Sequence, residues 1–72
     1  MRQGLYRSKV ESELIKQSTN FSAYRSNGDT FFKVGKAEIQ DGGDLFWVYK
    51  PDGSCYETND VVEAVNVAKG SQ

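Results

Sequence analysis

Asn27-Gly28 lies between two runs in which apolar and polar residues alternate, and this dipeptide most narrows what the chain can fold into. Asparagine and glycine tolerate the positive φ that a two-residue type I′ turn demands at both central positions, and the twist of that turn suits two antiparallel strands. The dipeptide therefore sets a register. Ser26 falls opposite Asp29, Arg25 opposite Thr30, Tyr24 opposite Phe31, Ala23 opposite Phe32, and Phe21 opposite Val34. One face of the hairpin carries Phe21, Ala23, Phe32 and Val34; the other carries Ser22, Tyr24, Phe31 and Lys33.

Beyond Val34 the alternation slips by one residue, since the next apolar positions are Ala37 and Ile39. A bulge at Gly35-Lys36 would absorb the slip and keep one strand running over 29–40. Asp41-Gly42-Gly43-Asp44 then turns the chain, with the two glycines as the loop. That register sets Ile39 opposite Phe46, Ala37 opposite Val48, Glu38 opposite Trp47 and Lys36 opposite Tyr49. In Lys50-Pro51-Asp52-Gly53, proline presets the first corner and glycine can take the left-handed one, which gives a third hairpin. It pairs Val48 with Tyr56, Tyr49 with Cys55, and Trp47 with Glu57. Strands are expected at 20–26, 29–40, 45–50 and 54–58.

Helices flank this region. Ser8 and Glu11 have the spacing of a capping box. After Ser8, the residues Val10, Leu14 and Ile15 fall on one side of a helix over 9–18, with Tyr6 leading into the stripe. Asp60 and Glu63 imitate a second capping box, and Val61, Ala64, Val65 and Ala68 follow at i, i+3, i+4, i+7. Lys69 and Gly70 close that helix, expected at 60–69. The fold class is α+β: a four-stranded antiparallel meander sheet with an N-terminal and a C-terminal helix packed on one face. The order is α-β-β-β-β-α in one small domain, residues 1–72.

With 38% hydrophobic residues, a chain of 72 can close one core with little surplus. The expected core joins Phe21, Ala23, Phe32, Val34, Ala37, Ile39, Phe46, Val48 and Tyr56 to the helix stripes. Four strands are roughly 19 Å wide and a helix about 10 Å across, so both helices are needed on this face.

The opposite face is then open. There Ser22, Ser26, Lys33, Lys36, Glu38, Gln40 and Glu57 interleave with Tyr24, Phe31, Leu45, Trp47 and Tyr49. Trp47 is expected between two glutamates and hence in water. So many large apolar side chains on a solvated face exceed ordinary scatter. Tyr24, Phe31, Leu45, Trp47 and Tyr49, with Lys33 and Lys36 beside them, are the candidate partner-binding residues. The competing reading has the first helix crossing to this side, or the aromatic pairs serving only the sheet.

Catalytic chemistry finds little support. The chain has no histidine, the commonest general base and metal ligand, and Cys55 therefore lacks the base that would activate it. Asp41 and Asp44 lack calcium-loop spacing, and Gly42-Gly43 lacks the lysine of a phosphate loop. The expectation is no enzyme, no catalytic residue, no metal and no cofactor. A single cysteine excludes an internal disulfide and points to a reducing, cytoplasmic compartment. The longest apolar run, Leu45–Tyr49, is too short for a membrane span or a signal peptide. Asn20-Phe21-Ser22 matches a glycosylation sequon by chance.

Charge is uneven along the chain. Residues 1–36 carry a net +4 from Arg2, Arg7, Lys9, Lys16, Arg25, Lys33 and Lys36 against Glu11, Glu13 and Asp29. Residues 37–72 carry −5, from Lys50 and Lys69 against Glu38, Asp41, Asp44, Asp52, Glu57, Asp60 and Glu63. Such a dipole is either ordinary solvated charge or a means of orienting a partner.

The function expected is a non-catalytic protein-binding module: a small cytosolic adaptor, regulator or inhibitor. Compact chains without active-site residues are typical of phage- or prophage-encoded antagonists of host enzymes, an analogy of size and composition alone. A nucleic-acid-binding domain could stack bases on the same aromatics, but the net charge of −1 and the acidic second helix start disfavour it. A homodimer or larger assembly using that face is the third reading.

Overall fold

The computed structural model describes residues 8–71. The elements run α1 (Lys9–Lys16), β1 (Ser22–Ser26), β2 (Asp29–Val34), β3 (Ala37–Asp41), β4 (Phe46–Tyr49), β5 (Cys55–Thr58) and α2 (Val61–Gly70). The strands form one antiparallel sheet in the order β1-β2-β3-β4-β5. The α+β class, the helix–strands–helix order and the meander agree with the sequence. The strand number does not: there are five strands, not four.

The extra strand comes from Gly35-Lys36. That pair is a turn and not a bulge, with Val34 directly opposite Ala37 and Phe32 opposite Ile39. Gly35 takes φ +61° while Lys36 stays out of the positive region. A glycine with positive φ at the first central position marks a type II′ turn, one of the two that close tight hairpins. A bulge and a two-residue turn slip the alternation by the same amount, so the pattern of apolar residues could not separate them.

The Asn27-Gly28 turn forms as read, with φ +54° and +87°, and the β1–β2 register follows from it. The next loop is longer than expected. Asp41 pairs with Phe46, and Gly42–Leu45 forms the connection, closed by the Gly42 N–H donating to the Leu45 carbonyl at 2.9 Å. The register therefore shifts by two residues. Ile39 opposes Val48, Gln40 opposes Trp47 and Glu38 opposes Tyr49. A shift of two keeps every side chain on its face, so the core set survives the correction. The β4–β5 register matches the sequence reading throughout.

Both helices pack on one side of the sheet. Val10 and Leu14 of α1 join Phe32, Val34, Ala37, Ile39, Phe46 and Val48 of the sheet, and Ala64, Val65 and Ala68 of α2, in a single buried cluster. Ser8 caps α1, its hydroxyl accepting from the amides of Val10 (3.0 Å) and Glu11 (3.4 Å). The same hydroxyl donates to the buried carboxylate of Asp41, which also accepts from the Gly43 amide at 2.8 Å. This ties the start of α1 to the end of β3. Asp60 caps α2 by accepting from Val62 and Glu63 at 3.0 and 3.3 Å.

Five expected core positions differ. Ile15 is 50% exposed, since α1 is only eight residues long and rests on Val10 and Leu14. Phe21, Tyr56 and Val61 are only partly buried. Ala23 is exposed although it sits opposite buried Phe32 on the helix side. Five strands at ~4.8 Å span about 24 Å, more than two helices of about 10 Å can cover. The uncovered strand is β1. Tyr6, expected to lead into α1, lies outside the described residues.

Candidate functional site

Alternation along each strand sends Tyr24, Phe31, Lys33, Glu38, Gln40, Trp47, Tyr49 and Glu57 to the side of the sheet away from the helices. The first helix lies on the core face, so this face stays open. Across its middle run Tyr24, Phe31, Gln40, Trp47 and Glu57, one from each strand.

Tyr24 and Phe31 are a directly opposed pair and stack, with centroids 5.2 Å apart and planes 10° from parallel. Tyr24 remains 44% exposed, and its hydroxyl reaches across β2 to donate to the Glu38 carboxylate. That bond raises its pKa above the ordinary 10.0, assisted by partial desolvation and the nearby negative charge. Tyr49 is 39% exposed, and its hydroxyl donates to the Gln40 side-chain carbonyl. The Gln40 amide in turn donates to Asp29 at 2.8 Å. Desolvation raises the Tyr49 phenol, with Cys55, Glu38 and Asp29 adding to the shift. Both phenols are thus neutral donors near neutral pH, and both are anchored to side chains of β3.

Trp47 is half-buried, and its surroundings differ from the expectation in two ways. Its neighbours are Gln40 and Glu57, so one carboxylate stands beside it and not two. Its ring also lies against the Gly42 backbone: a β-carbon on Gly42 would come within 2.6 Å of the indole. The longer β3–β4 loop folds back under the ring and covers part of it. Phe31 and Leu45 are likewise half-buried, Leu45 in that loop.

The basic residues separate. Lys33 stays on the open face, exposed, directly opposite Glu38. Lys36 sits in the β2–β3 turn and not opposite Tyr49, which follows from that turn being a turn. Tyr24, Phe31, Trp47, Tyr49 and Lys33 are therefore brought together, and Lys36 is not. Sequence reasoning placed Glu38 and Gln40 on this face but missed what they do. They fix the two exposed tyrosine rings. Their alternation in phase with the aromatics was the available signal; the Glu38 partner depends on the β2–β3 turn and the Gln40 partner on the β3–β4 register.

No protein-family model, curated protein or solved structure matches the chain. Among the described residues, no helix is long and apolar enough to cross a membrane.

Proposed function

We propose that the chain is a non-catalytic protein-binding module that uses the open aromatic face, acting as a small intracellular adaptor, regulator or inhibitor. The observation that carries this reading is the anchoring of Tyr24 and Tyr49. Their rings are exposed while their hydroxyls are held by Glu38 and Gln40. An aromatic ring already fixed in place loses little side-chain entropy on binding, and Tyr and Trp dominate interface energies. The partner surface this face suits is apolar at its centre, with a donor or cationic rim to meet Asp29, Glu38 and Glu57. Those three carboxylates against Lys33 also repel phosphate, which disfavours nucleic acid.

The test uses a protein captured from the native cell, then purified and titrated against wild type and a Tyr24→Ser/Tyr49→Ser variant. The variant should melt close to wild type and bind at least tenfold more weakly, as expected when two interface aromatics are lost. Undiminished binding by the folded variant would end the reading. Binding that collapses in salt and requires Lys33 would replace it with nucleic-acid recognition.

A further inference from the structure

β1 is exposed on both sides of the sheet as well as along its outer edge. Ser22, Ala23, Tyr24 and Arg25 are all exposed, and no strand among the described residues pairs with the outer edge of β1. The Asn27-Gly28 turn decides which of its backbone groups are already used. In a hairpin closed by two residues, the flanking pair, here Ser26 and Asp29, exchanges N–H and C=O, and such pairs then alternate. Ser22, Tyr24 and Ser26 therefore bond to β2. The N–H and C=O groups of Ala23 and Arg25 point outward, a row that a further strand can complete.

We propose that this strand is the partner site for β1 of a second copy of the chain, paired antiparallel about a two-fold axis at Tyr24. The two five-stranded sheets then become one continuous sheet. The inference rests on the fold and is independent of the aromatic-face reading.

The symmetry of the strand carries the argument. A two-fold at Tyr24 sets Ala23 opposite Arg25 of the second copy, and Arg25 opposite the second Ala23, so the outward groups meet one another. Ser22 falls opposite the second Ser26. Tyr24 faces its counterpart in a non-bonded pair, where side chains approach most closely. Directly opposed residues project to the same side, so both helix layers stay on one side and both aromatic faces on the other. Sliding the register by two in one direction sets Arg25 against Arg25, and sliding it the other way leaves part of the strand unpaired. No charge bars the edge in the central register. The Arg25 guanidinium is turned toward β2, donating to the Gly28 carbonyl at 3.0 Å and the Thr30 hydroxyl at 3.3 Å.

Head-to-tail pairing of β1 with β5 cannot be antiparallel with the helices on one side. The Lys50 N–H donates to the Ser54 carbonyl at 2.8 Å, and counting from that bond turns Cys55 and Glu57 outward. Those residues lie on the aromatic side, whereas Ala23 and Arg25 lie on the helix side. Joined antiparallel, these two edges would place the helices of successive copies on opposite sides. Joined parallel, they keep the helices together but form the slightly less stable ladder. Self-pairing of β1 keeps them together in an antiparallel one.

An interface of one short strand falls below the roughly 1,000 Å² of a durable dimer, so the association is weak and concentration-dependent. Sedimentation equilibrium from about 10 μM to 1 mM should show the mass rising from 8.1 kDa toward twice that value. Ala23→Pro removes an N–H that makes no bond within the sheet, a change an edge strand tolerates. That variant should fold and associate at least tenfold more weakly. In wild type, the amide resonances of Ala23 and Arg25 should move with concentration while those of Cys55 and Glu57 stay in place; this readout needs no variant. A wild-type chain monomeric at about 1 mM would overturn the proposal. So would a folded Ala23→Pro protein that associates like wild type, or an association that moves the Trp47 indole resonance and leaves Ala23 and Arg25 unmoved.

Discussion

The two edges of the sheet end differently. On β5, Thr58 is buried and its hydroxyl donates to Glu63 of α2 at 2.7 Å, while the Tyr56 hydroxyl donates to the same carboxylate at 2.6 Å. Thr58 also accepts from the Asp60 amide at 3.1 Å, so strand, cap and helix are fastened at one corner. Among the described residues, no side-chain hydrogen bond fastens β1 to a helix in this way. α2 packs over β3, β4 and β5, and α1 packs beside it. Coverage ends before β1. The two edge strands thus differ because helix width, not strand propensity, decides which edge is protected. The covered edge belongs to the fold, and the uncovered one is the edge proposed to pair with a second copy.

The largest test of this contrast removes the cover itself. Phe46→Ala opens a cavity between β4 and the helices and should cost about 3–5 kcal/mol, enough to unfold a domain this small. Denaturant titration checks it, and a wild-type-like midpoint would show that the helices do not rest where described.

A matched pair of alanines sharpens the comparison. Ala37 is 2% exposed and Ala23 is exposed, although both lie on the helix side of the sheet. Ala37→Leu should overpack the core and cost about 1–3 kcal/mol. Ala23→Leu should change stability by about 0.5 kcal/mol or less. Equal losses would mean that β1 is covered after all. Gly42→Ala is a further test, on the open face. Its new methyl would meet the Trp47 ring at 2.6 Å and the Leu45 carbonyl at 2.9 Å. It should push the indole outward, shift its fluorescence to the red, and cost on the order of 1–2 kcal/mol.

The smallest effect is at the β5 corner, in acid. The Tyr56 hydroxyl, and then that of Thr58, hold the Glu63 carboxyl below its ordinary 4.5. A depressed carboxylate stabilises the fold above its unfolded pKa, and that contribution disappears as pH falls through the folded value. Glu63→Gln should therefore melt below wild type at neutral pH, and the gap should close as pH falls below the ordinary carboxylate range. A gap that persists in acid would show that the carboxylate charge contributes nothing.

Much of this was legible in the sequence because local chemistry fixed it. Asn27-Gly28, the Lys50–Gly53 turn, and the caps Ser8 and Asp60 each act through their own backbone, and each formed as read, except that Glu63 bonds Tyr56 and Thr58 and leaves the Asp60 amide to Thr58. The misreadings lie where two local structures share one pattern. Gly35-Lys36 slips the alternation as a bulge or as a type II′ turn, and only strand length argued against a strand spanning 29–40. That choice moved Lys36 off the face and set the strand count at five. The strand count then exposed Ala23, because coverage is a sum over the whole sheet that no single residue reports. The Tyr24–Glu38 and Tyr49–Gln40 bonds were illegible too, since the first needs a register two turns away and the second the longer β3–β4 loop.

Amide hydrogen exchange on dilute, monomeric protein tests the account most directly. Along β1, the amides of Ser22, Tyr24 and Ser26 should be protected, and those of Ala23 and Arg25 should exchange nearly as fast as in an unstructured peptide. β3, paired on both sides, should show protection at successive residues, with a break at Gly35 and Lys36. Uniform protection along β1, or protection running unbroken from Val34 through Ala37, would contradict both the uncovered edge and the fifth strand.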